Sequence, residues 1–406
     1  MNTPATAPSE SLRADGVVRP HPESGRADAL LWPPHVQNHA ANLATLPDGS
    51  LACVWFSGTQ EGVPDISVWF SRLPAGSDTW TAPLQLSDDP TRSEQNPVLH
   101  MHGGDEVWLL WTSQHAGNQD TARVQRRISS DGGVTWGPPH TLLPATEAAG
   151  VFIRQPICVL PSGRMLLPVF YCVRTPGQRW VGDHDTSAVM ISDDDGATWR
   201  EVPVPDSTGC VHMNIGRLSD DRLVALFRSR WADNIYRSES TDDGDTWSAP
   251  QPTELPNNNS SIQFVVLPDD RMALVYNESS AADATARRLS LYDEIDDDGL
   301  AESAEPAAPV PPVNPSGERT AFWGAPRAPM TLAISTDGGL TWPIRRNLEE
   351  GDGYCLSNNS RDAVNRELSY PAIHAQDRTL HVAFTRFRQA IQYVAVTQDW
   401  IDGAAP

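Results

Sequence analysis

SDDDGATW, residues 192–199, is one of four copies of the pattern Ser-x-Asp-x-Gly-x-Thr-Trp in this chain. The other three copies span residues 129–136, 240–247 and 335–342. In each copy the Asp carboxylate can accept hydrogen bonds from nearby backbone N–H groups and the Gly supplies a positive φ, so the pattern predicts a turn. The Trp gives each repeat a large apolar body to bury against its neighbour. An octapeptide that recurs through a chain indicates a repeat architecture.

A second pattern lies between these boxes: an apolar run, a tight polar turn and another apolar run, which predicts a β-hairpin. A degenerate fifth box, Ser71–Trp80, keeps the Ser, a Gly and the Thr-Trp end but lacks the Asp in its usual place. The six hairpins span residues 42–56, 97–111, 156–170, 214–227, 262–276 and 371–384. With a third strand leading into each box and a fourth after it, the sequence predicts an all-β, six-bladed β-propeller.

We expect a disordered tail over residues 1–25 and a single propeller domain over 26–400. A stretch rich in Ala, Pro, Asp and Glu lengthens the fifth unit, and we interpret residues 280–328 as a solvated loop insertion. The sixth unit has no box after residue 397. The segment ADALLW (27–32) is expected to supply its outer strand and close the ring.

Composition excludes several classes of function. The 406 residues carry a net charge of −22, which disfavours nucleic acid and anionic membranes as partners. No lysine occurs, which excludes a Schiff-base lysine and a P-loop lysine. The five cysteines are interpreted as buried thiols. No signal peptide or membrane-spanning run is seen, so we expect a cytoplasmic protein that needs no metal or other cofactor. The sequence carries no signal for an oligomeric state.

Polar residues precede the inner strand of every predicted blade. In a propeller the inner strands converge on one axial funnel, so these residues are expected to face a common pocket, and their shared polarity favours a polar ligand. They are His39 and Asn42, Asn96, Arg154 and Gln155, His212 and Asn214, residues 257–260, and Ser369 and Tyr370. Further candidates near the same rim are Glu61, Asp65, Arg228, Arg230, Arg327, Arg386 and Arg388.

From residue 30 to residue 397 the chain resembles the sialidase superfamily, and within it the bacterial sialidase-like BNR/Asp-box proteins. The stretches that carry the resemblance are the four boxes, FSGTQEGVPDI, RQPICVLPSGRMLLP, NIYRSESTDDGDTWSAPQPTELPNNNSSI and SYPAIHAQDRTLHVAFT. Classical members use three Arg to bind the substrate carboxylate, a Tyr nucleophile activated by a Glu, and an Asp acid/base. The resemblance implies Tyr370 as the nucleophile, Arg228 and Arg327 as the second and third Arg, and Asp65 as the acid/base.

Two departures from the superfamily pattern change the expected chemistry. The position of the first Arg is occupied by His39, and that of the activating Glu by His212. A His is poised near neutrality and can act as a base for Tyr370 or as the acid/base itself. The departures therefore favour an exo-acting glycosidase on a sialic, uronic or other acidic sugar over a standard sialidase. The predicted catalytic residues are Tyr370, His212, Asp65 and His39, and the predicted substrate-binding residues are Arg154, Arg228, Arg327, Gln155, Asn96, Asn258 and Glu61.

Two alternatives remain open on the same scaffold. A polysaccharide lyase would use His or Tyr to abstract the proton next to a uronate carboxylate while Arg neutralises that carboxylate. A non-catalytic module would bind a glycan or peptide unchanged, because a fold does not fix a function.

Overall fold

The structure is a computed structural model that describes residues 13–288, 290–296, 299–300, 308–309 and 319–403. Six antiparallel sheets follow one another along the chain and form a six-bladed β-propeller, which confirms the predicted all-β class. No helix in the described residues is long and apolar enough to cross a membrane. The longest helix is the C-terminal Gln398–Asp402, which Thr397 caps.

The strands of each blade are given from the innermost outward. Blade one contains Gln37–Thr45, Leu51–Gly58, Ser67–Leu73 and Leu84–Gln85. Blade two contains Ser93–Gly103, Glu106–His115, Asn118–Ser129 and His140–Leu143. Blade three has a divided inner strand, Ala149–Phe152 and Cys158–Val159, followed by Met165–Val173, Thr186–Ser192 and Arg200–Pro203. Blade four contains Cys210–Arg217, Leu223–Ser229, Asn234–Ser240 and Gln251–Pro256. Blade five contains Gln263–Val266, Met272–Asn277, Met330–Ser335 and Ile344–Glu349.

Blade six closes the ring with an N-terminal strand, as the sequence predicts. Its chain-terminal strands Leu368–Gln376, Thr379–Arg386 and Ala390–Thr397 are joined by Arg26–Leu30, which pairs with the last of them. Arg19–Pro20 adds a short fifth strand outside Arg26–Leu30. Part of the predicted tail, residues 1–25, contacts the propeller: Gly16 N donates to the Leu30 carbonyl and Val18 N to the Asp78 carbonyl. Residues 1–12 lie outside the described part of the chain.

Six apolar clusters lie between neighbouring blades and form the core. Val54 and Phe70 of blade one, for example, share a cluster with Trp111 of blade two. The seam that closes the ring has its own cluster, in which Trp55 of blade one packs with Tyr393 of blade six. Burial of apolar area along all six seams holds the inner strands, and with them the axial residues, in fixed positions.

The boxes form the predicted turns. Ser192 Oγ donates to Asp194 Oδ1 over 2.8 Å, and the same carboxylate accepts the Thr198 backbone N–H at 2.8 Å and its hydroxyl at 2.5 Å. The other three boxes repeat these contacts. Gly196 has φ 78°, and a Cβ there would lie 2.3 Å from the Trp108 ring of blade two. Of the box tryptophans, Trp247 and Trp342 are buried, whereas Trp136 and Trp199 are only half-buried.

The fifth blade carries the predicted insertion between Met272–Asn277 and Met330–Ser335. It contains a 3-10 turn, Ala281–Asp283, and two short ladders, Ala286–Arg287 with Ala308–Pro309 and Ile295–Asp296 with Gly299–Leu300. The acidic, Pro-rich run at 297–318 lies mostly outside the described residues. The described part differs from a solvated loop, because Leu291, Tyr292, Ile295 and Trp323 are buried against the inner ends of the blades.

Candidate active site

Four of the inner strands share an irregularity near their N-terminal ends. In blades one, two, four and six the register with the second strand shifts at this point, and one residue there adopts a left-handed φ. The residues are Ala40 (61°), Asn96 (50°), His212 (55°) and Tyr370 (53°). Such bulges break the ladder locally and re-aim a side chain, and they are over-represented next to active sites. Two predicted catalytic residues, His212 and Tyr370, therefore occupy strained backbone positions.

Tyr370 lies at the centre of a group of cations. The guanidinium carbons of Arg154, Arg228 and Arg327 lie 5.5, 5.5 and 5.7 Å from the centre of its ring. The rings of His39 and His212 lie 4.1 and 5.6 Å away, centre to centre. The structure thus brings together five predicted residues from four blades: His39, Arg154, His212, Arg228 and Tyr370. Arg327 reaches the same ring from the segment that leads into the third strand of blade five.

Arg228 makes the shortest contact with Tyr370. Its Nη1 donates to the Tyr370 hydroxyl oxygen over 2.6 Å and lies 3.3 Å from His212 Nε2. Its Nε donates to Asn259 Oδ1 over 2.8 Å. Because an Arg only donates, His212 Nε2 acts as an acceptor toward this guanidinium. The Nη2 of Arg228 is buried and has no hydrogen-bond partner among the described residues.

Arg154 is the second cation of the cluster without a carboxylate partner in the described structure. Its Nη2 donates to the backbone carbonyls of Ala41, Tyr370 and Pro371, while its Nε and Nη1 are buried without a partner. Burial lowers the pKa of the Arg154 guanidinium to about 10 and that of Arg228 to about 9, so both are charged at neutral pH. Buried guanidinium groups with free N–H donors have the chemistry to bind an anion, above all a carboxylate.

Two further Arg of the cluster, Arg327 and Arg388, are paired with the carboxylate of Glu367. Its Oε1 accepts from Arg388 Nε at 2.9 Å and from Arg327 Nη1 at 3.2 Å. Burial acts to raise the pKa of the Glu367 carboxyl, but the two Arg and the hydrogen bonds from Ser369 and Asn365 lower it to about 2. Arg388 also donates to Glu61 Oε2 over 2.6 Å. The cluster thus sets four Arg side chains against two Glu side chains, inside a protein whose net charge is −22.

Both axial histidines are neutral at physiological pH. Burial, reinforced by the surrounding Arg, lowers the pKa of His39 and of His212 well below 6.5. His39 Nδ1 shares a 2.7 Å hydrogen bond with Thr385 Oγ1, and its Nε2 is buried with no partner in the described part of the chain. The arrangement can therefore hold an anion, stabilise negative charge on the Tyr370 oxygen and accept a proton at either imidazole.

Comparison with known proteins identifies the family. The profile of the BNR repeat-like domain matches residues 49–382, which is most of the chain. The chain belongs to this family. No curated protein matches it by sequence.

Solved structures similar to this BNR repeat-like propeller include several sialidases. A Hadza microbial sialidase aligns with a TM-score of 0.64 at 14% identity. The alignment covers 90% of this chain and 67% of the sialidase chain. The NanB sialidase from Streptococcus pneumoniae aligns with a TM-score of 0.64 at 11% identity, and the alignment covers 96% of this chain and 71% of the sialidase. A protein of unknown function from Dyadobacter fermentans aligns with a TM-score of 0.64 at 17% identity, and the alignment covers 92% of this chain and 100% of that protein. At these identities the likeness shows a shared fold.

Four predicted site residues of this BNR repeat-like protein lie outside the group around Tyr370. Asp65 is exposed, and its carboxylate accepts the Thr59 backbone N–H at 3.2 and 3.3 Å. Gln155 is held by the Ile262 carbonyl and by Gln263. Asn258 donates to Ser279 and to the Pro326 carbonyl, and Asn96 occupies the bulge of blade two. Glu61 reaches the cluster through Arg388, as one half of an ion pair.

Three buried residues of the site were not predicted as functional: Glu367, Thr385 and Trp323. Glu367 stands three residues before Tyr370 in RELSYP, and its charge in an otherwise buried strand entry is the signal that could have found it. Trp323, whose ring centre lies 5.7 Å from the Arg228 guanidinium, comes from the insertion, where blade periodicity gives no guidance. Arg230, which the sequence suggested as a candidate near the same rim, forms an ion pair with Asp185 through Nε at 2.9 Å and Nη2 at 2.7 Å.

Proposed function

We propose that this protein is a sialidase-like glycoside hydrolase that removes a terminal acidic sugar, sialic or uronic, from an oligosaccharide. One observation carries the proposal: Arg154 and Arg228 are buried and charged, have no carboxylate partner among the described residues, and both flank Tyr370. A sugar carboxylate would supply the missing acceptors. The sialidases that share the fold support this class of substrate, at the level of fold similarity.

In the proposed reaction Tyr370 attacks the anomeric carbon of the bound sugar. As the phenolic oxygen bonds to that carbon, its proton passes to the neutral imidazole of His212, whose ring centre lies 5.6 Å from that of Tyr370. The bond to the departing oxygen breaks, and that oxygen takes a proton from an acid. Asp65 remains the predicted acid, on the loop between the second and third strands of blade one. Water then releases the sugar from Tyr370.

A Tyr370→Phe variant tests this function. Wild-type protein is expected to release fluorophore from a 4-methylumbelliferyl sialoside or glucuronide, and removal of the hydroxyl should lower kcat by at least about 100-fold. The affinity for the free acidic sugar, measured by calorimetry, should change little, because the Arg residues are retained. Turnover that survives in the variant would rule out Tyr370 as the nucleophile.

A lyase is the second candidate, and one observation favours it. His212 is neutral, buried and next to Arg228, which is the arrangement needed to remove a proton beside a neutralised carboxylate. The two reactions differ in their products, since a lyase releases an unsaturated, ultraviolet-absorbing uronate and a hydrolase releases only a new reducing end. Binding of acidic sugar with neither product would indicate a non-catalytic glycan-binding propeller.

A further inference from the structure

The described part of the blade-five insertion is anchored to three other blades, namely one, two and three. The hydroxyl oxygen of Tyr292 accepts hydrogen bonds from Gln114 Nε2 at 3.0 Å and from Gln119 Nε2 at 2.9 Å, both in blade two. Arg179, from the loop of blade three, donates to the Tyr292 carbonyl over 2.6 Å. Tyr292 is only 1% exposed and packs in one apolar cluster with Phe152, Phe170 and Trp323.

Glycines in two loops make room for this segment. A Cβ at Gly62 of blade one would lie 2.8 Å from Tyr292 Cε1 and 2.7 Å from Ile295 Cδ1, and Gly62 has φ 95°. A Cβ at Gly117 of blade two would lie 3.3 Å from Ile295 Cγ2. The two loops are joined by a bond from Gly117 N to the Gly62 carbonyl, 3.1 Å long. The inner ends of blades one and two are therefore shaped to seat Tyr292 and Ile295.

The same segment is tied to the connection between blades five and six. Glu294 accepts from Arg288 Nη2 at 2.8 Å and from the Asn358 backbone N–H at 2.7 Å. Gln37 of blade one donates to the Asn358 carbonyl over 3.0 Å. Residues 290–296 thus contact blades one, two and three and the connection between blades five and six; we refer to them as the roof.

Trp323 links the roof to the anion-binding group, because it packs in one apolar cluster with Tyr292 and lies beside Arg228. Asn259 accepts from Arg228 and donates to the Phe322 carbonyl, in the stretch that places Trp323 beside Arg228. Tyr370 is 5% exposed and Arg228 1% exposed. For a group this enclosed, steric exclusion would act more strongly on a sugar with a long chain than on a single sugar.

We propose that the roof is a specificity element: it admits a single acidic sugar carrying a small aglycone and excludes long oligosaccharides, with Tyr292 as its latch. This inference rests on the proposed function, because it specifies which acidic glycosides the same site accepts. Its basis is the set of polar contacts that fix Tyr292 and the burial of the cationic group.

The test compares a short and a long substrate with the same terminal acid, an aryl glycoside and a tetrasaccharide. Wild-type kcat/KM is expected to favour the short substrate by at least about 10-fold. Tyr292→Ala should raise kcat/KM for the tetrasaccharide and bring the ratio near one, and Tyr292→Phe, which keeps the ring and loses both hydrogen bonds, should give an intermediate ratio. Leu340→Ala, at an exposed box position, serves as the control and should leave the ratio unchanged.

Hydrogen exchange of residues 290–296 supplies a second measurement that does not depend on turnover. Exchange there should be slow in the wild type and faster in both Tyr292 variants, with the box turns unaffected. Equal use of the short and long substrates by the wild type, or a change in Tyr292→Ala that affects both equally, would overturn the roof assignment while leaving the proposed function intact. If the wild type and the roof variants neither bind nor cleave any acidic sugar, the proposed function itself fails and the roof assignment falls with it.

Discussion

Arg228 Nη1 lies 2.6 Å from the Tyr370 hydroxyl oxygen, and this hydrogen bond joins blade four to blade six across the axis, 142 residues apart in sequence. The contact places a fixed positive charge where negative charge would develop on the phenolic oxygen during nucleophilic attack. Both side chains are buried, so water weakens the interaction little. The six interblade cores hold the two strands that carry them, which means the charge is positioned before any ligand binds.

Arg154 is expected to contribute directly to anion affinity. Arg154→Met should weaken binding of a free acidic sugar by about 10- to 150-fold, the equivalent of a lost charged hydrogen bond of about 1.5–3 kcal/mol. Arg154→Lys should recover only part of this loss, because an ammonium cannot form the bidentate contact of a guanidinium. Titration calorimetry with sialic and glucuronic acid measures the affinities. Arg164→Met, at a partly exposed ion pair with Asp193, is the matched control and should bind normally.

Glu367 is expected to be the main electrostatic support of the cluster. Glu367→Gln removes the carboxylate shared by Arg327 and Arg388 and should lower the free energy of unfolding by about 3–5 kcal/mol at neutral pH. Urea unfolding followed by tryptophan fluorescence measures this loss. Glu254→Gln, which breaks an exposed pair with Arg345, should cost less than about 1 kcal/mol.

The Glu367 contribution should also depend on pH in a defined direction. Its pKa is about 2 in the folded protein against an ordinary 4.5, so the unfolded chain binds the extra proton between these values. The stabilisation is therefore complete above about pH 4.5 and disappears as the pH falls toward 2, a change of about 3 kcal/mol. The Gln variant should lack this part of the acid dependence. A variant with an unchanged acid dependence would mean that Glu367 is not held ionised.

The lowered pKa values of His39 and His212 predict how kcat/KM depends on pH on the acid side. Since burial keeps the pKa of His39 and His212 well below 6.5, both bases stay neutral as the pH falls through 6.5. The kcat/KM should thus stay flat from about pH 8 to 6.5 and decline only below that range. Because the unfolded chain takes up these protons first, stability should also fall as the pH drops below 6.5. An activity limb centred at 6.5 that is missing in His212→Asn would contradict the neutral, buried state of His212.

The architecture could be predicted in detail from the sequence, because each box and hairpin is specified by local turn chemistry that repeats. Arg26–Leu30 could be assigned to blade six for a similar reason: the last blade lacks an outer strand and an apolar segment at the other terminus fits it. The expectation that residues preceding the inner strands face one funnel also placed His39, His212 and Tyr370 correctly in one group. Which side chains neutralise one another could not be predicted, since Glu367 is shared by Arg327 and Arg388, which approach from different segments.

The roof could not be predicted because composition is averaged over the whole insertion. The stretch as a whole is acidic and rich in Pro and Ala, which is typical of a solvated loop. Among the described residues of the insertion, Leu291, Tyr292 and Trp323 are apolar and buried. Their burial depends on the shape of the blade ends, including the space at Gly62, and that shape exists only after the propeller has formed.

Thr385 is expected to orient His39, and its effect on catalysis can be separated from an effect on folding. Its Oγ1 lies 2.7 Å from His39 Nδ1 and accepts the Ala40 backbone N–H at 3.3 Å, so it fixes both the ring and the bulge beside it. Thr385→Val keeps the shape but removes the hydroxyl, and kcat should fall by about 10- to 100-fold with little change in KM. Thr385→Ser restores the hydroxyl and should recover most of the activity. Steady-state kinetics on an acidic aryl glycoside, with urea midpoints recorded in parallel, would separate the two roles: a serine variant as inactive as the valine variant, or a kcat loss that only follows the loss of stability, would show that Thr385 supports the fold and does not position His39.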